Sequence, residues 1–173
     1  MKKIFSLLIL VTAFCSAQVK PKDVFDVARS GSVEEMKALV QKNKDTINAV
    51  NHSGFTPLIL ACYRGNSTVA EYLAKMVKDI NYNSSSGTAL AAAAVKGNAA
   101  LVKVLLENKA NPNVADAMGM TPLLYATQFE NKEIMALLIK YNADKKLANK
   151  EGKSAMDYAV FTKNEEVIKL LKN

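Results

Sequence analysis

The chain is poor in the residues from which metal and catalytic sites are built. Its 173 residues include one histidine, His52, and two cysteines, Cys15 and Cys62. Metal sites need His, Cys or carboxylate ligands clustered at short spacing, and the sequence holds no such cluster. It also lacks a Gly-x-Gly-x-x-Gly run and a phosphate-binding lysine loop, so nothing points to a metal ion or any other cofactor. A general base must lie within hydrogen-bond reach of its nucleophile. His52 is the sole candidate base, and no serine is placed beside it by the sequence. A hydrolase with His52 as base therefore ranks below a non-catalytic binding function.

Long apolar runs are also missing. The longest follows Lys2 and Lys3, from Ile4 to Phe14, and is too short to span a bilayer, which takes roughly 20 apolar residues. A charged start, a short apolar run and small residues before the break, here Cys15-Ser16-Ala17, describe a secretory signal peptide over residues 1–17. Cleavage near Ala17 leaves residues 18–173 as one domain, periplasmic or secreted. A lipoprotein acylated at Cys15 is disfavoured by bulky Phe14 where such signals carry a small residue. Without Lys2 and Lys3 the chain has 21 basic residues against 16 acidic, a net +5 instead of +7. Its one remaining thiol, Cys62, cannot form an internal disulfide. The lysines are scattered, and the leader directs the chain away from nucleic acid. The charge is read first as a solvated lysine-rich surface; it is also compatible with an acidic protein partner or with attraction to anionic envelope surfaces.

What the sequence has is a repeat. Thr56-Pro57-Leu58-Ile59-Leu60-Ala61, Thr88-Ala89-Leu90-Ala91-Ala92-Ala93, Thr121-Pro122-Leu123-Leu124-Tyr125-Ala126 and Ser154-Ala155-Met156-Asp157-Tyr158-Ala159 recur every 32 or 33 residues. Thr or Ser before an apolar run suits a helix N-cap, and Pro suits the first helical position. A second helix follows each first one, with apolar positions Val69, Tyr72 and Leu73; Leu101, Val104 and Leu105; Ile134, Leu137 and Leu138; Val167, Leu170 and Leu171. Glycines Gly54, Gly119 and Gly152 precede the caps and predict tight turns. Glu34-Glu35 and Glu165-Glu166 open second helices, where they complement the helix dipole.

Asp116-Ala117-Met118-Gly119-Met120-Thr121-Pro122-Leu123 and Asn51-His52-Ser53-Gly54-Phe55-Thr56-Pro57-Leu58 closely resemble the ankyrin repeat family. Ala110-Asn111-Pro112-Asn113 and Ala143-Asp144 resemble the way its repeats end. A degenerate first copy contains Val27-Ala28-Arg29-Ser30-Gly31. The resemblance implies an all-α solenoid of about five helix-turn-helix repeats with short β-turn tips, at about 22–50, 51–82, 83–115, 116–148 and 149–173. Departures fall in the loops: the inter-helix Gly of the family is replaced by Glu130 and Lys163.

A stacked-repeat protein works through an extended surface. The resemblance implies a monomer that binds a protein through its concave face, formed by turn tips and the exposed side of the first helices. Among exported bacterial proteins of this kind, it further implies a role as accessory to an oxidative-stress enzyme or as inhibitor of a secreted toxic enzyme. Carried over residue by residue, the partner-binding positions are Phe55, Tyr63, Arg64, Val95, Lys96, Met118, Met120, Phe129 and Phe161. Aromatics, Met and Arg are the types enriched at protein interfaces. Rings buried between helices would remove the stripe; exposed rings would support it.

Overall fold

The computed structural model describes residues 21–172. The expected leader, with Cys15 and Ala17, lies outside the described residues. Ten α-helices form five pairs among the described residues: α1 Val24–Ser30 with α2 Val33–Lys42, α3 Pro57–Arg64 with α4 Ser67–Ala74, α5 Ala89–Val95 with α6 Ala99–Glu107, α7 Pro122–Gln128 with α8 Lys132–Lys140, and α9 Ala155–Thr162 with α10 Glu165–Lys172. First helices pack on first helices and second helices on second helices, from α1 to α9 and from α2 to α10. No helix among the described residues is long and apolar enough to cross a membrane.

Each first helix starts where the sequence places it. The hydroxyls of Thr56, Thr88, Thr121 and Ser154 accept from the N–H of Ile59, Ala91, Leu124 and Asp157 at 3.2–3.4 Å. Thr88 caps α5 without the proline that follows Thr56 and Thr121. The degenerate first copy uses Asp23, whose carboxylate accepts from Phe25 and Asp26 at 2.8 Å.

The close approach of the first helices rests on one alanine per repeat. Ala28, Ala61, Ala93, Ala126 and Ala159 are all fully buried. A larger side chain at any of them would force neighbouring helices apart, and overpacking of this kind typically costs about 1–3 kcal/mol. The second helices bury Met36, Val69, Leu101, Ile134 and Val167 at a single register position.

Glu130 and Lys163 keep the backbone of the glycines they replace. Their φ values, 52° and 55°, lie beside those of Gly65 and Gly97, 74° and 69°. Lys109 does the same after α6, with φ 69° and its N–H donating to the Leu106 carbonyl at 2.9 Å. For an L-residue this left-handed conformation costs about 1–2 kcal/mol, a strain glycine does not carry. Lys109 is exposed, so its replacement isolates the backbone effect. Lys109→Gly is expected to raise unfolding stability by about 0.5–1 kcal/mol, part of the relief being offset by a floppier unfolded chain. A denaturant midpoint that stays put or falls would contradict the strain assignment.

Candidate partner-binding face

The turn tips are built by one polar side chain each. Asn51 Oδ1 accepts from the N–H of Ser53 and Phe55 at 2.9 and 3.0 Å. Asp116 and Asn149 repeat that geometry, to Met118 and Met120 and to Glu151 and Lys153. Short Asn and Asp side chains bond their own backbone two residues on, which is why they organise such turns. Tips also join one another. Ala117 N–H donates to the Ser85 carbonyl at 3.2 Å, and Lys150 N–H to the Met118 carbonyl at 3.0 Å. At Gly119 (φ 79°) a Cβ would stand 2.8 Å from Lys150 N, so glycine permits this approach.

Two tyrosines tie tips to first helices. Tyr125 Oη donates to Asp116 Oδ2 at 2.6 Å. Tyr158 Oη accepts from Asn149 Nδ2 at 3.0 Å and donates to Met120 Sδ at 3.6 Å. Burial, followed by the bond to the Asp116 carboxylate, pushes the Tyr125 phenol well above its ordinary range. Both tyrosines lie one turn before the Tyr63 register position, on the same side of the first helix. The three-residue spacing from Tyr125 to Gln128 and from Tyr158 to Phe161 is the sequence signal for this placement.

Six of the nine positions carried over from the repeat pattern are exposed: Tyr63, Arg64, Lys96, Met118, Phe129 and Phe161. The rings are well outside the stack, with Tyr63 47%, Phe129 55% and Phe161 87% exposed. Lys96 Nζ lies 5.1 Å from the centre of the Tyr63 ring, a cation–π contact between successive repeats. Phe55 and Val95 are half-buried.

Met120 is a correction. It is buried at 6% exposure and packs in the core, its sulfur beside Asn149 and Tyr158. The physical reason is the left-handed backbone at Gly119 (φ 79°): simple alternation would put residues 118 and 120 on one side, but the turn between them leaves Met118 exposed and buries Met120, at the register position of half-buried Phe55.

The last repeat exposes Val160 at 58%, although the equivalent residues Cys62, Ala94 and Thr127 are buried beneath the next helix pair. Phe161 stands beside it and lines a cleft of about 400 Å3 with Gly152, Lys153, Asp157 and Tyr158. Cys62 is buried, and burial pushes its thiol far above the range of a reactive cysteine. His52 is exposed on a tip and makes no side-chain hydrogen bond among the described residues. No cluster of three potential ligands close enough to hold a metal ion occurs among the described residues.

A family profile described as Ankyrin repeats (3 copies) matches residues 24–116 and 90–173. Relatives include the protein fem-1 homolog A-like of Mus musculus, 36% identical over 90 residues, covering 51% of this chain and 14% of that protein. Inversin of Gallus gallus is 35% identical over 114 residues, covering 65% and 10%. A putative ankyrin repeat-containing protein of Treponema pallidum (strain Nichols) is 29% identical over 104 residues, covering 60% and 35%. This chain thus spans only a small part of the length of the relatives it matches.

The Tyr125–Asp116 bond has a pH signature. Below the ordinary tyrosine value near 10, Tyr125 is protonated in both folded and unfolded chains, and the bond contributes fully. Above it the unfolded chain loses this proton while the folded one retains it, so stability falls as pH rises toward the elevated folded value. Tyr125→Phe is expected to cost about 1–2 kcal/mol at neutral pH and to flatten part of the alkaline decline. Denaturant unfolding at pH 7 to 11 measures both, and parallel declines in wild type and variant would contradict the assignment.

Proposed function

The chain belongs to the ankyrin repeat family, and on that premise we propose that it acts by reversible docking of a protein partner on the concave face, with no chemistry of its own. Ankyrin repeats are protein-interaction modules. The observation that carries the reading is the row Tyr63, Phe129 and Phe161. These large rings sit at the ends of first helices, exposed, where a folded chain gains nothing from displaying them to water. Arg64 and Lys96 stand in the same row, and Met118 extends it to a tip. Buried between two proteins, aromatic and Arg side chains of this kind carry most of the binding energy.

We place this docking outside the cytoplasm. Support comes from Lys2-Lys3, the apolar stretch Ile4 to Phe14 and the small residues before Gln18. The partner is then a periplasmic or secreted protein, and the docking chain is a monomer. N-terminal sequencing of the exported product would read Gln18 as its first residue; retention of Met1 would contradict export by this route.

The docking assignment is tested by capturing a partner from periplasmic extract on the full chain and titrating it against wild type and the Tyr63→Ala/Phe129→Ala variant. The variant is expected to fold normally and to lose at least about 2 kcal/mol of binding energy, close to thirtyfold in affinity. Unchanged affinity with intact folding would refute the site.

A further inference from the structure

Charge is distributed unevenly between the two sides of the middle repeats. In residues 51–65, 83–97 and 116–130, which run from the tip to the inter-helix residue of the second, third and fourth repeats, the only acidic residues are Asp116 and Glu130. Asp116 is buried, and its oxygens are taken by the N–H groups of Met118 and Met120 and by the Tyr125 hydroxyl. The remaining carboxylates of these repeats, Glu71, Asp79, Glu107, Glu133 and Asp144, lie on second helices or in loops. Glu130, exposed beside Phe129, accepts from Asn164 Nδ2 at 2.6 Å.

The same side carries Arg64 and Lys96, both exposed, and neither takes part in an ion pair among the described residues. Lys96 reaches back over the Tyr63 ring. Arg64, next to Tyr63 in the chain, and Lys96, over its ring, therefore belong to one exposed patch across two repeats. Phe129 holds the register position of Lys96 in the next repeat and continues the row with an exposed apolar surface.

Resting on the docking reading above, we infer that this patch takes an acidic protein segment, one whose carboxylates flank an aromatic or aliphatic anchor. The anchor would lie between Tyr63 and Phe129, with the carboxylates on Arg64 and Lys96. On the tips and first helices of these three repeats no carboxylate is exposed, so an acidic segment meets like charge only at Glu130 beyond the helix end, and cations facing it steer its approach. Arg is also suited to bidentate carboxylate contacts. A nucleic acid fits less well. Its affinity comes from neutralising many phosphates in a row, whereas this face interleaves only two cations with the exposed rings of Tyr63 and Phe129.

Selection of an unbiased displayed peptide library on the full chain tests the inference directly. The expected outcome is enrichment of Asp and Glu around one aromatic or aliphatic residue. Synthetic versions of the selected peptides should bind Arg64→Glu/Lys96→Glu about tenfold or more weakly, and Arg64→Gln/Lys96→Gln less tightly than wild type. Far-UV circular dichroism and the unfolding midpoint serve as folding controls. Selected peptides of neutral or basic character would overturn the inference. So would binding indifferent to both charge variants, or capture of a single-stranded oligonucleotide through Arg64 and Lys96 in preference to any acidic peptide. If Tyr63→Ala/Phe129→Ala abolishes binding and the charge variants do not, the face stands and its acidic partner falls. If neither pair matters, the face itself is wrong.

Discussion

The rest of the structure depends on asparagine side chains that hydrogen-bond across the boundary between repeats. Asn66 is the clearest case. Its Nδ2 lies 3.3 Å from the carbonyls of Val27 and Ala28 and 2.9 Å from that of Gly31. The last carbonyls of a helix have no partner within the helix, and here the next repeat supplies one. Asn98 and Asn164 hold the same place further along. Asn98 reaches Ser67 Oγ at 2.8 Å, and Asn164 reaches Glu130. A second series runs through the long loops, where Asn48, Asn81 and Asn113 accept from the N–H of Lys78, Asn111 and Asp144 at 2.7–2.9 Å. A stack in which each unit touches only its neighbours is as stable as those boundaries make it. Buried alanines allow the first helices to approach, and the asparagines give the approach a fixed register.

Fixed register is what turns a repeat into a surface. Tyr63, Phe129 and Phe161 are far apart in sequence, yet each sits at the end of a first helix, and the stack sets those ends side by side. The tip side chains perform the same service for the turns: Asn51, Asp116 and Asn149 each close a turn and leave its outward residue free. Tyr125 and Tyr158 then bind tip to helix, so the two parts of the face are held as a unit. Such a surface is preorganised, which lowers the ordering cost of binding.

Much of this was legible in the sequence because capping and burial repeat with the chain. The caps at Thr56, Thr88, Thr121 and Ser154, the buried alanines and the second-helix apolar faces fall where the pattern places them. What escaped is what the pattern cannot encode position by position. Met120 reads as a tip residue, but the direction of its side chain is decided by the backbone turn at Gly119. Glu130 and Lys163 read as altered loops, although the tight connection between the two helices of each pair holds them in the glycine conformation. Val160 occupies a position buried in other repeats and is exposed because no further helix pair covers it among the described residues. The Tyr125 and Tyr158 hydroxyls depend on partners nine residues earlier, Asp116 and Asn149, a spacing outside either helical or strand periodicity.

Asn66 offers the most direct test of the account, because its side chain makes inter-repeat bonds and does not cap its own helix. Native-state hydrogen exchange compared between wild type and Asn66→Ala, amide by amide, separates coupling from local stability. Loss of coupling should lower protection in α1 and α2 while leaving α6 through α10 near their wild-type values. Equal protection of α1 and α2 in the two proteins, or a uniform loss along the whole chain, would contradict the claim that asparagine bonds between neighbours hold the repeats in register.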